Sequence, residues 1–271
     1  MIKTYILIEE NDILEEIRIN ENNRLIKTSD TSSTGIILRK SSNVIYDYNQ
    51  NGLYLNLINN FPSKWYMILV PLIEKIEKLS ITLSMSKKKI LPQSSYVFNF
   101  MKYIDPTEVR VIIIGQDPYP TNDISNGIAF STSRYNNVPP SLHNIYEELN
   151  REGYEIRDDK SDFYLSGWLK QGVLLLNTSL TVCEGNTING HQQHWFPILS
   201  SICLHMKDRI VILFGKKASI FKSIFSSENT FMTSHPSPNS ASNGFIGSHI
   251  FNKVNTRLEE LNINRIDWGN C

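Results

Sequence analysis

The chain has 271 residues, 41% of them hydrophobic and 20% charged, which is enough for one sizeable domain with a single core. Lys and Arg (27) balance Asp and Glu (27), so a globally basic nucleic-acid-binding protein is excluded, and any contact with a polyanion must come from a local patch, backbone amides or hydroxyls. The three cysteines are far apart, which excludes a disulfide scaffold and a CxxC metal site and indicates a reducing compartment.

The sequence shows no sign of membrane insertion or secretion. Its longest apolar run is too short to cross a bilayer, and the N-terminus turns acidic at once, unlike a signal peptide. We therefore expect a soluble intracellular protein that is not bound to a membrane. The sequence does not distinguish nucleus from cytoplasm.

Residues 1–58 differ in texture from the rest of the chain. Short alternating patterns (TYILIEE, EEIRIN, GIILRK) are separated by polar clusters such as NENN and TSDTSSTG. Alternation of this kind is typical of strands. We expect an N-terminal extension of short strands or loops over 1–58, attached to a main domain over 59–271.

The main domain alternates short apolar runs with segments of helical spacing. Continuous apolar runs of this length are typical of strands buried on both faces, as in a parallel sheet. They predict strands at Val109–Ile114, Val173–Leu176, Ile210–Phe214 and, more weakly, Thr230–Thr233. Helical spacing predicts helices at Ser141–Arg151, with Ser141 as the N-cap, at Trp195–Met206 and at Lys216–Phe225. Strand alternating with helix indicates an α/β layered fold.

A polar segment directly follows each predicted strand. In chain order these segments are GQDPYP, NTS, GK and SHPSPNS. In an open parallel sheet, ligands bind in the crevice beyond the carboxyl ends of the strands. We therefore expect the segments to meet in one cleft that contains a carboxylate, Asp117, an amide, Asn177, and an imidazole, His235.

Each of these residues also has an ordinary structural explanation when taken alone. Asp117 before a proline is common turn chemistry, Asn177 can simply end a strand, and an isolated histidine is more often packed or solvated than catalytic. Their joint occurrence at strand ends changes the balance. The loops are stiffened by prolines at 118, 120, 236 and 238, and rigid loops that carry an acid and an imidazole favour a preorganised site.

Other chemistries have weaker support. The chain has no GxxxxGK[ST] phosphate loop and no GxSxG elbow. His191 and His194 are three residues apart but have no HExxH motif and no nearby carboxylate, so we interpret them as part of a solvated loop rather than a metal site. The lysine run at 87–89 is most simply an exposed charged surface.

Three motifs together resemble the signatures of a known family. GQDPYP (115–120), LLLNTSLTV (174–182) and HPSPNSA (235–241) resemble those of family 1 uracil-DNA glycosylases, the cellular and herpesvirus type. The resemblance runs from Trp65 to Trp268, with the motifs in family order and near family spacing. It implies a three-layer fold with a central four-stranded parallel twisted sheet between helices, and it leaves the N-terminal extension unmatched.

The resemblance also implies an activity, which is hydrolysis of the N-glycosidic bond of deoxyuridine in DNA, without a metal or an organic cofactor. Asp117 would position the attacking water and stabilise positive charge on the sugar, and His235 would hydrogen-bond uracil O2. Four further residues would bind the flipped base: the Gln116 backbone N–H, Tyr119 against C5, Phe130 on the ring face, and Asn177 at N3–H and O4.

The same resemblance suggests how a neutral protein holds DNA. Six residues would contact the backbone or the base stack: Ser141, Lys216, Ser237, Asn239, Ser240 and Asn243. Asn239 is a departure, because most relatives have a leucine there that wedges into the stack, and Asn243 stands where relatives often have arginine. Both departures predict a looser grip on duplex DNA. Pro120 replaces the histidine that usually follows GQDPY, with little expected consequence.

A second interpretation is a DNA-binding scaffold or polymerase processivity partner that uses the same fold. The intact Asp117, Asn177 and His235 favour the enzyme, whereas the N-terminal extension keeps the scaffold under consideration. We expect a monomer whose partner is uracil-containing DNA, single- or double-stranded. A protein inhibitor or a replication protein is a further partner that the resemblance brings into consideration.

Overall fold

The computed structural model describes residues 3–9, 12–19, 25–27 and 35–39 by their backbone, and then 63–157, 161–185 and 190–271. The predicted domain boundary between residues 58 and 59 lies outside these residues. The chain divides into two compact units, Met1–Lys87 and Lys88–Cys271.

The first unit contains a mixed sheet and two α-helices in its described residues. Its strands are β1 (Lys3–Glu9), β2 (Asp12–Ile19), β3 (Leu25–Lys27) and β4 (Gly35–Arg39). They are ordered β3-β2-β1-β4, and β1 is antiparallel to β2 but parallel to β4. The helices are α1 (Tyr66–Leu69) and α2 (Ile73–Ser84), with 3-10 turns at Ser63–Trp65 and Val70–Leu72. Three of the four strands coincide with the alternating patterns of the N-terminal sequence.

The second unit alternates strands and helices. Its strands are β5 (Ile90–Leu91), β6 (Val111–Gly115), β7 (Val173–Asn177), β8 (Val182–Cys183), β9 (Ile210–Phe214) and β10 (Thr230–Thr233). Its helices are α3 (Pro140–Arg151), α4 (Ser166–Lys170), α5 (Gln192–Leu204), α6 (Gly215–Ala218) and α7 (Ile250–Glu260). Shorter 3-10 helices cover Ser94–Tyr96, Asn99–Lys102, Ser219–Ile224, Ser227–Asn229 and Ala241–Asn243.

The centre of the second unit is a four-stranded sheet, ordered β10-β9-β6-β7 and parallel throughout. Every residue of β6, β7 and β9 is buried, as continuous apolar runs predict for strands covered on both faces. Strand β10 lies at an edge and has no buried residue, which explains its weaker apolar pattern. The predicted α/β fold, with a four-stranded parallel sheet flanked by helices, is confirmed.

Helix bounds differ from the sequence predictions in instructive ways. Ser141 is not the N-cap of α3, because Pro139 takes that position in an extended conformation and Pro140 begins the helix. Proline suits the first helical position, since its fixed φ is helical and its missing N–H has no partner to lose. Helix α5 begins earlier than predicted, at Gln192, and the predicted helix at 216–225 is α6 followed by a 3-10 segment.

Aromatic side chains fill the space around the sheet. Trp168, Phe251 and Trp268 form one cluster with ring centroids 4.9–5.6 Å apart, and the Trp168 indole N–H donates to the Trp268 carbonyl at 2.9 Å. All three rings are fully buried. Among the helices of the described ranges, none combines the length and apolar character that a membrane crossing requires.

Two carboxylates, one in the last turn of α3 and one directly after it, hold the start of α7. Glu148, fully buried, accepts hydrogen bonds from the backbone N–H groups of Gly247 (2.5 Å) and His249 (2.8 Å). Glu152, one turn later, accepts from the N–H groups of Phe251 and Asn252. The first N–H groups of a helix have no partner within the helix, and negative charge is favourable at that end. These carboxylates therefore join two helices that are about a hundred residues apart in the chain.

We expect Glu148→Gln to lower the free energy of unfolding by about 2–3 kcal/mol, because the amide loses charge-assisted bonds and presents an N–H group to backbone donors. Glu147→Gln is the matched control, since Glu147 pairs with Arg151 in a solvent-accessible ion pair, and its substitution should cost less than about 0.5 kcal/mol. Urea denaturation of both variants measures the difference. Equal stabilities would contradict the capping role of Glu148.

Candidate active site

The register of the parallel sheet aligns the strand ends that carry the polar segments. Gly115 at the end of β6 pairs with Asn177 at the end of β7. The pairing continues beyond the strands, where Thr178 N–H donates to the Gly115 carbonyl at 3.0 Å and Ser179 N–H to the Gln116 carbonyl at 3.2 Å. The two loops are therefore fixed to each other before any ligand binds.

These strand ends border a cavity of about 320 Å³. This volume is near the lower end of the range for small-molecule sites, about 300–1,000 Å³, and suits a single base better than a large cofactor. Nine of the sequence-predicted site residues line it: Gln116, Asp117, Tyr119, Phe130, Ser141, Asn177, His235, Ser237 and Asn239. Pro118, Pro120, Ser125 and Ile128 complete the wall. Three predicted residues, Lys216, Ser240 and Asn243, do not line it.

The two oxygens of the Asp117 carboxylate have different surroundings. Oδ2 accepts a hydrogen bond from the Gln116 side-chain amide at 2.9 Å and lies 3.7 Å from the Lys217 ammonium. Oδ1 is buried and has no hydrogen-bond partner among the described residues. The backbone of Gly190 lies so close to Oδ1 that a methyl group at position 190 would overlap it. One oxygen is thus held by polar contacts, and the other is buried beside Gly190 without a hydrogen-bond partner among the described residues.

His235 is held as a neutral imidazole with its proton on Nε2. The Ser237 backbone N–H donates to Nδ1 at 3.1 Å, so Nδ1 is an acceptor and carries no proton. Burial lowers the pKa of His235 from 6.5 to about 4. Nε2 is buried without a partner in the part of the chain that the structure describes. His235 therefore offers one unused N–H donor on a residue that lines the cavity.

An aromatic wall closes another side of the cavity. Phe130 adopts a left-handed backbone conformation (φ 63°), which is strained for an aromatic residue and is typical of functional sites. The Tyr119 hydroxyl donates to the Phe130 carbonyl at 2.9 Å and secures this conformation. Burial raises the pKa of Tyr119, so the hydroxyl stays protonated. The Phe130 ring lies 5.6 Å from the His235 ring, centroid to centroid.

Gly115 has no side chain for a steric reason. A methyl group at position 115 would come within 2.6 Å of the Phe130 ring and 2.7 Å of Asn177 Oδ1. Both distances are shorter than contacts that real side chains make, so a larger residue would displace the ring, the amide or both. Glycine is therefore required at position 115, because only the absence of a side chain lets Phe130 and Asn177 approach this closely.

The loop after β10 is rigid through its own hydrogen bonds. The Ser240 hydroxyl donates to the His235 carbonyl at 3.0 Å and lies 2.9 Å from the Ser237 hydroxyl. Asn144, on α3, donates its side-chain amide to the Pro236 carbonyl at 2.8 Å. Ser240 thus contacts the backbone of the loop rather than the cavity, whereas Ser237 lines the cavity.

The interpretation of His191 as part of a solvated loop is wrong. His191 is partly buried, with Nδ1 2.8 Å from the Thr181 hydroxyl and Nε2 3.6 Å from the Cys183 sulfur. The Trp195 indole N–H donates to the same Thr181 hydroxyl at 2.7 Å, so packing against the loop after β7 buries the ring. His194 is exposed. Within the described residues, no group of three or more His, Cys, Asp or Glu side chains is placed to hold a metal ion.

Lys217 lies beside Asp117 but is not among the residues predicted from the sequence. The predicted residue was its neighbour Lys216, whose side chain is exposed and outside the cavity wall. Adjacent helical residues point about 100° apart, so only one of the two lysines of α6 can face the sheet edge. The doubled lysine after β9 was the available signal, but the sequence alone does not tell which of the pair faces inward.

Comparison with known proteins places this site in a family. The family model described as the uracil DNA glycosylase superfamily matches residues 101–259. A uracil-DNA glycosylase of Bacillus cereus (strain B4264) is 35% identical over 221 residues, covering 78% of this chain and 97% of the relative. The chain belongs to the uracil-DNA glycosylase family. Another member, from Bacillus cytotoxicus, is 37% identical over 190 residues, covering 68% of this chain and 83% of its own length.

Solved structures of uracil-DNA glycosylases have the same fold. The crystal structure of the mimivirus enzyme is 25% identical with a TM-score of 0.68, covering 80% of this chain and 89% of that one. A mimivirus UNG Y322F structure in complex with UGI has a TM-score of 0.67 at 25% identity, covering 77% of this chain and 88% of that one. The Nitratifractor salsuginis protein, 21% identical with a TM-score of 0.52, covers 80% and 96% and shares the fold.

The lowered pKa of His235 predicts an unusual titration. Because the folded chain binds this proton less tightly than the unfolded chain, the contribution of His235 to folding stability falls as the pH drops from 6.5 to about 4. Histidine NMR spectra of the folded protein should show the His235 ring neutral down to about pH 4, with the proton on Nε2. The exposed His194 serves as an internal comparison. Titration of His235 near pH 6.5 would contradict the prediction.

Proposed function

We propose that the chain hydrolyses the N-glycosidic bond of deoxyuridine in DNA, releasing uracil and leaving an abasic site. One observation carries the proposal: Asp117 Oδ1 and His235 Nε2, two buried polar atoms without a partner among the described residues, belong to residues of the same cavity. Burying a polar group without a partner costs free energy, so these two atoms are suited to a ligand that supplies both a donor and an acceptor. Within a duplex the base is stacked and out of reach, so the nucleotide must flip into the cavity.

Asp117 positions and orients the water that attacks C1′ of the sugar. Its Oδ1 is free to accept a hydrogen bond from that water, because Oδ2 already accepts one from the Gln116 side chain. The carboxylate also stabilises the positive charge that develops on the sugar as the glycosidic bond lengthens. Water attacks C1′, the bonding electrons leave with the base, and the carboxylate accepts the proton that the water loses.

His235 stabilises the departing base. Nε2–H donates to uracil O2 as negative charge accumulates on the pyrimidine, and Nδ1 stays an acceptor of the Ser237 N–H. With its pKa lowered to about 4, the ring is a poor proton donor near pH 7, so its contribution is electrostatic. The sequence left open whether His235 acts as a neutral donor or an acid, and the lowered pKa supports the neutral donor.

Recognition of uracil combines hydrogen bonding, stacking and steric exclusion. The Asn177 amide pairs with N3–H and O4, and cytosine, with the inverse pattern, would leave both amide groups unpaired at a cost of ~1–3 kcal/mol each. Phe130 stacks on the ring face, and Tyr119 occupies the space where thymine carries its methyl group. The Gln116 backbone N–H donates a hydrogen bond to the base, while the Gln116 side-chain amide donates to Asp117.

The DNA is held mainly by hydroxyl and backbone groups, and by few charged side chains. Ser141 and Ser237 lie at the cavity wall where the phosphates flanking a flipped nucleotide would pass. The exposed Lys216 adds a positive charge outside the wall, Ser240 supports the loop, and the exposed Asn239 and Asn243 face the base stack. The chain acts as a monomer, and a protein inhibitor of the kind seen in the UGI complex of the mimivirus protein is a further partner that we propose. The scaffold interpretation is not favoured, because a scaffold has no need of paired unsatisfied catalytic groups.

A uracil-containing oligonucleotide tests the activity directly. Alkali should cleave the strand at uracil after incubation with the natural protein, and Asp117→Asn or His235→Leu should slow excision by about 10²–10³-fold, since each removes one electrostatic contact of the transition state. Asp123→Asn is the matched control, because Asp123 is an exposed carboxylate of the same loop that does not line the cavity. Its rate should equal that of the natural protein. Absence of excision by the natural protein would refute the proposed function.

Asn239 limits flipping from duplex DNA. It lines the cavity but is exposed, and its short polar side chain fills the vacated base stack less well than leucine. Asn239→Leu should speed excision from duplex by about tenfold, equivalent to ~1.4 kcal/mol of the unstacking cost, and leave single-stranded substrate unchanged. Single-turnover rates on both substrates measure the ratio. An unchanged ratio would remove Asn239 from the flipping step.

A further inference from the structure

We infer that Lys217 is a positioning residue that fixes the orientation of the Asp117 carboxylate through Oδ2 and so reserves Oδ1 for the attacking water. The inference rests on the proposed function. The Lys217 ammonium lies 3.7 Å from Oδ2, and the two side chains are only 28% and 11% exposed. An ion pair this shielded is screened less by salt than one at the surface.

The short helix α6 explains how Lys217 reaches the carboxylate. Its first residue, Gly215, has a positive φ (85°), and the space beside it is taken by His235 Cβ, so the turn from β9 into α6 passes tightly under the loop that carries His235. The carbonyl of Lys217 accepts a hydrogen bond from the Gln192 side chain at 3.2 Å, which anchors α6 to the start of α5. The backbone of Lys217 is therefore held in place by a hydrogen bond from α5.

The geometry distinguishes a positioning role from direct contact with substrate. Within the described residues, the two polar contacts of the carboxylate converge on the same oxygen, the Gln116 amide at 2.9 Å and the Lys217 ammonium at 3.7 Å. The Gly190 backbone lies against the other oxygen, Oδ1, and the amide alone would hold Oδ2 from a single direction. With the ammonium added, Oδ2 is held from two directions. Oδ1, with no partner in the described structure, then stays aimed at one place.

Two effects of the ammonium oppose each other. It fixes the carboxylate, which raises the rate, and it offsets part of the negative charge that stabilises the transition state, which lowers the rate. Because a misplaced catalytic group can cost a hundredfold, we expect orientation to outweigh charge. Removing Lys217 should therefore slow the chemical step.

The test compares Lys217→Met, Lys217→Arg and the control Lys222→Met, which removes an exposed lysine from the following 3-10 helix. Single-stranded uracil oligonucleotide is the substrate, so that flipping from duplex does not enter. We expect Lys217→Met to lower the single-turnover rate about tenfold with KM within about twofold, as for loss of one charge-assisted contact. Lys217→Arg should restore most of the rate, and Lys222→Met should match the natural protein. Thermal unfolding of each variant shows that it is folded.

Two further measurements separate this role from a phosphate contact. Affinity for the oligonucleotide as a function of salt should have the same slope for Lys217→Met as for the natural protein, whereas a lost phosphate contact would reduce the slope by about 0.7. In the Asp117→Asn background, Lys217→Met should lower the remaining rate less than twofold, because the carboxylate on which it acts is gone.

Several outcomes would overturn the inference. An equal or faster rate for Lys217→Met, a raised KM with unchanged kcat, a reduced salt slope, or a full tenfold loss in the Asp117→Asn background would each do so. The proposed function fails separately, if the natural protein releases no uracil. Excision by the natural protein that is insensitive to Lys217 would leave the proposed function standing and remove only the positioning role.

Discussion

The alignment of two parallel strand ends is the constraint on which the site depends. Gly115 pairs in register with Asn177, and the loops beyond them stay hydrogen-bonded, so the carboxylate of one loop and the amide of the other strand have a fixed separation. The same alignment brings Phe130 and Asn177 so close to Gly115 that no side chain fits there. A shift of one residue in this register would move Asp117 relative to Asn177 and would change the shape of the cavity.

A rigid frame of this kind explains how unsatisfied polar groups persist. Within the residues that the structure describes, Asp117 Oδ1 and His235 Nε2 have no hydrogen-bond partner, while their other polar atoms are held by Gln116, Lys217 and Ser237. Each of these two side chains is thus fixed by one polar atom, while its other polar atom has no partner among those residues. Such half-satisfied groups cost stability in the free protein, and that cost is recovered when a substrate supplies the missing partners.

Much of this arrangement could be predicted from the sequence, because it depends on patterns that are local. Apolar runs gave the strands of the parallel sheet, and the polar segments after them gave the residues that meet at its edge. The parts that could not be predicted depend on rotation and packing. Which of Lys216 and Lys217 faces Asp117 is decided by one helical step of α6. The burial of His191 depends on Thr181 and Trp195, which approach it only after folding. Ser141 is not the N-cap, because Pro139 takes that position and Pro140 begins the helix.

The carboxylates of Glu148 and Glu152 have a consequence for the order in which the chain acquires its structure. They bond to backbone groups 98–101 residues further along, so α7 has no satisfied N-terminus until α3 is in place. During synthesis on the ribosome, α3 emerges long before these partners, and the two acids stay hydrated until about the last tenth of the chain arrives. The segment between, which carries His235, is thereby closed into a loop anchored at both ends. A truncated product that ends before α7 would leave that loop untethered and the imidazole without a fixed place.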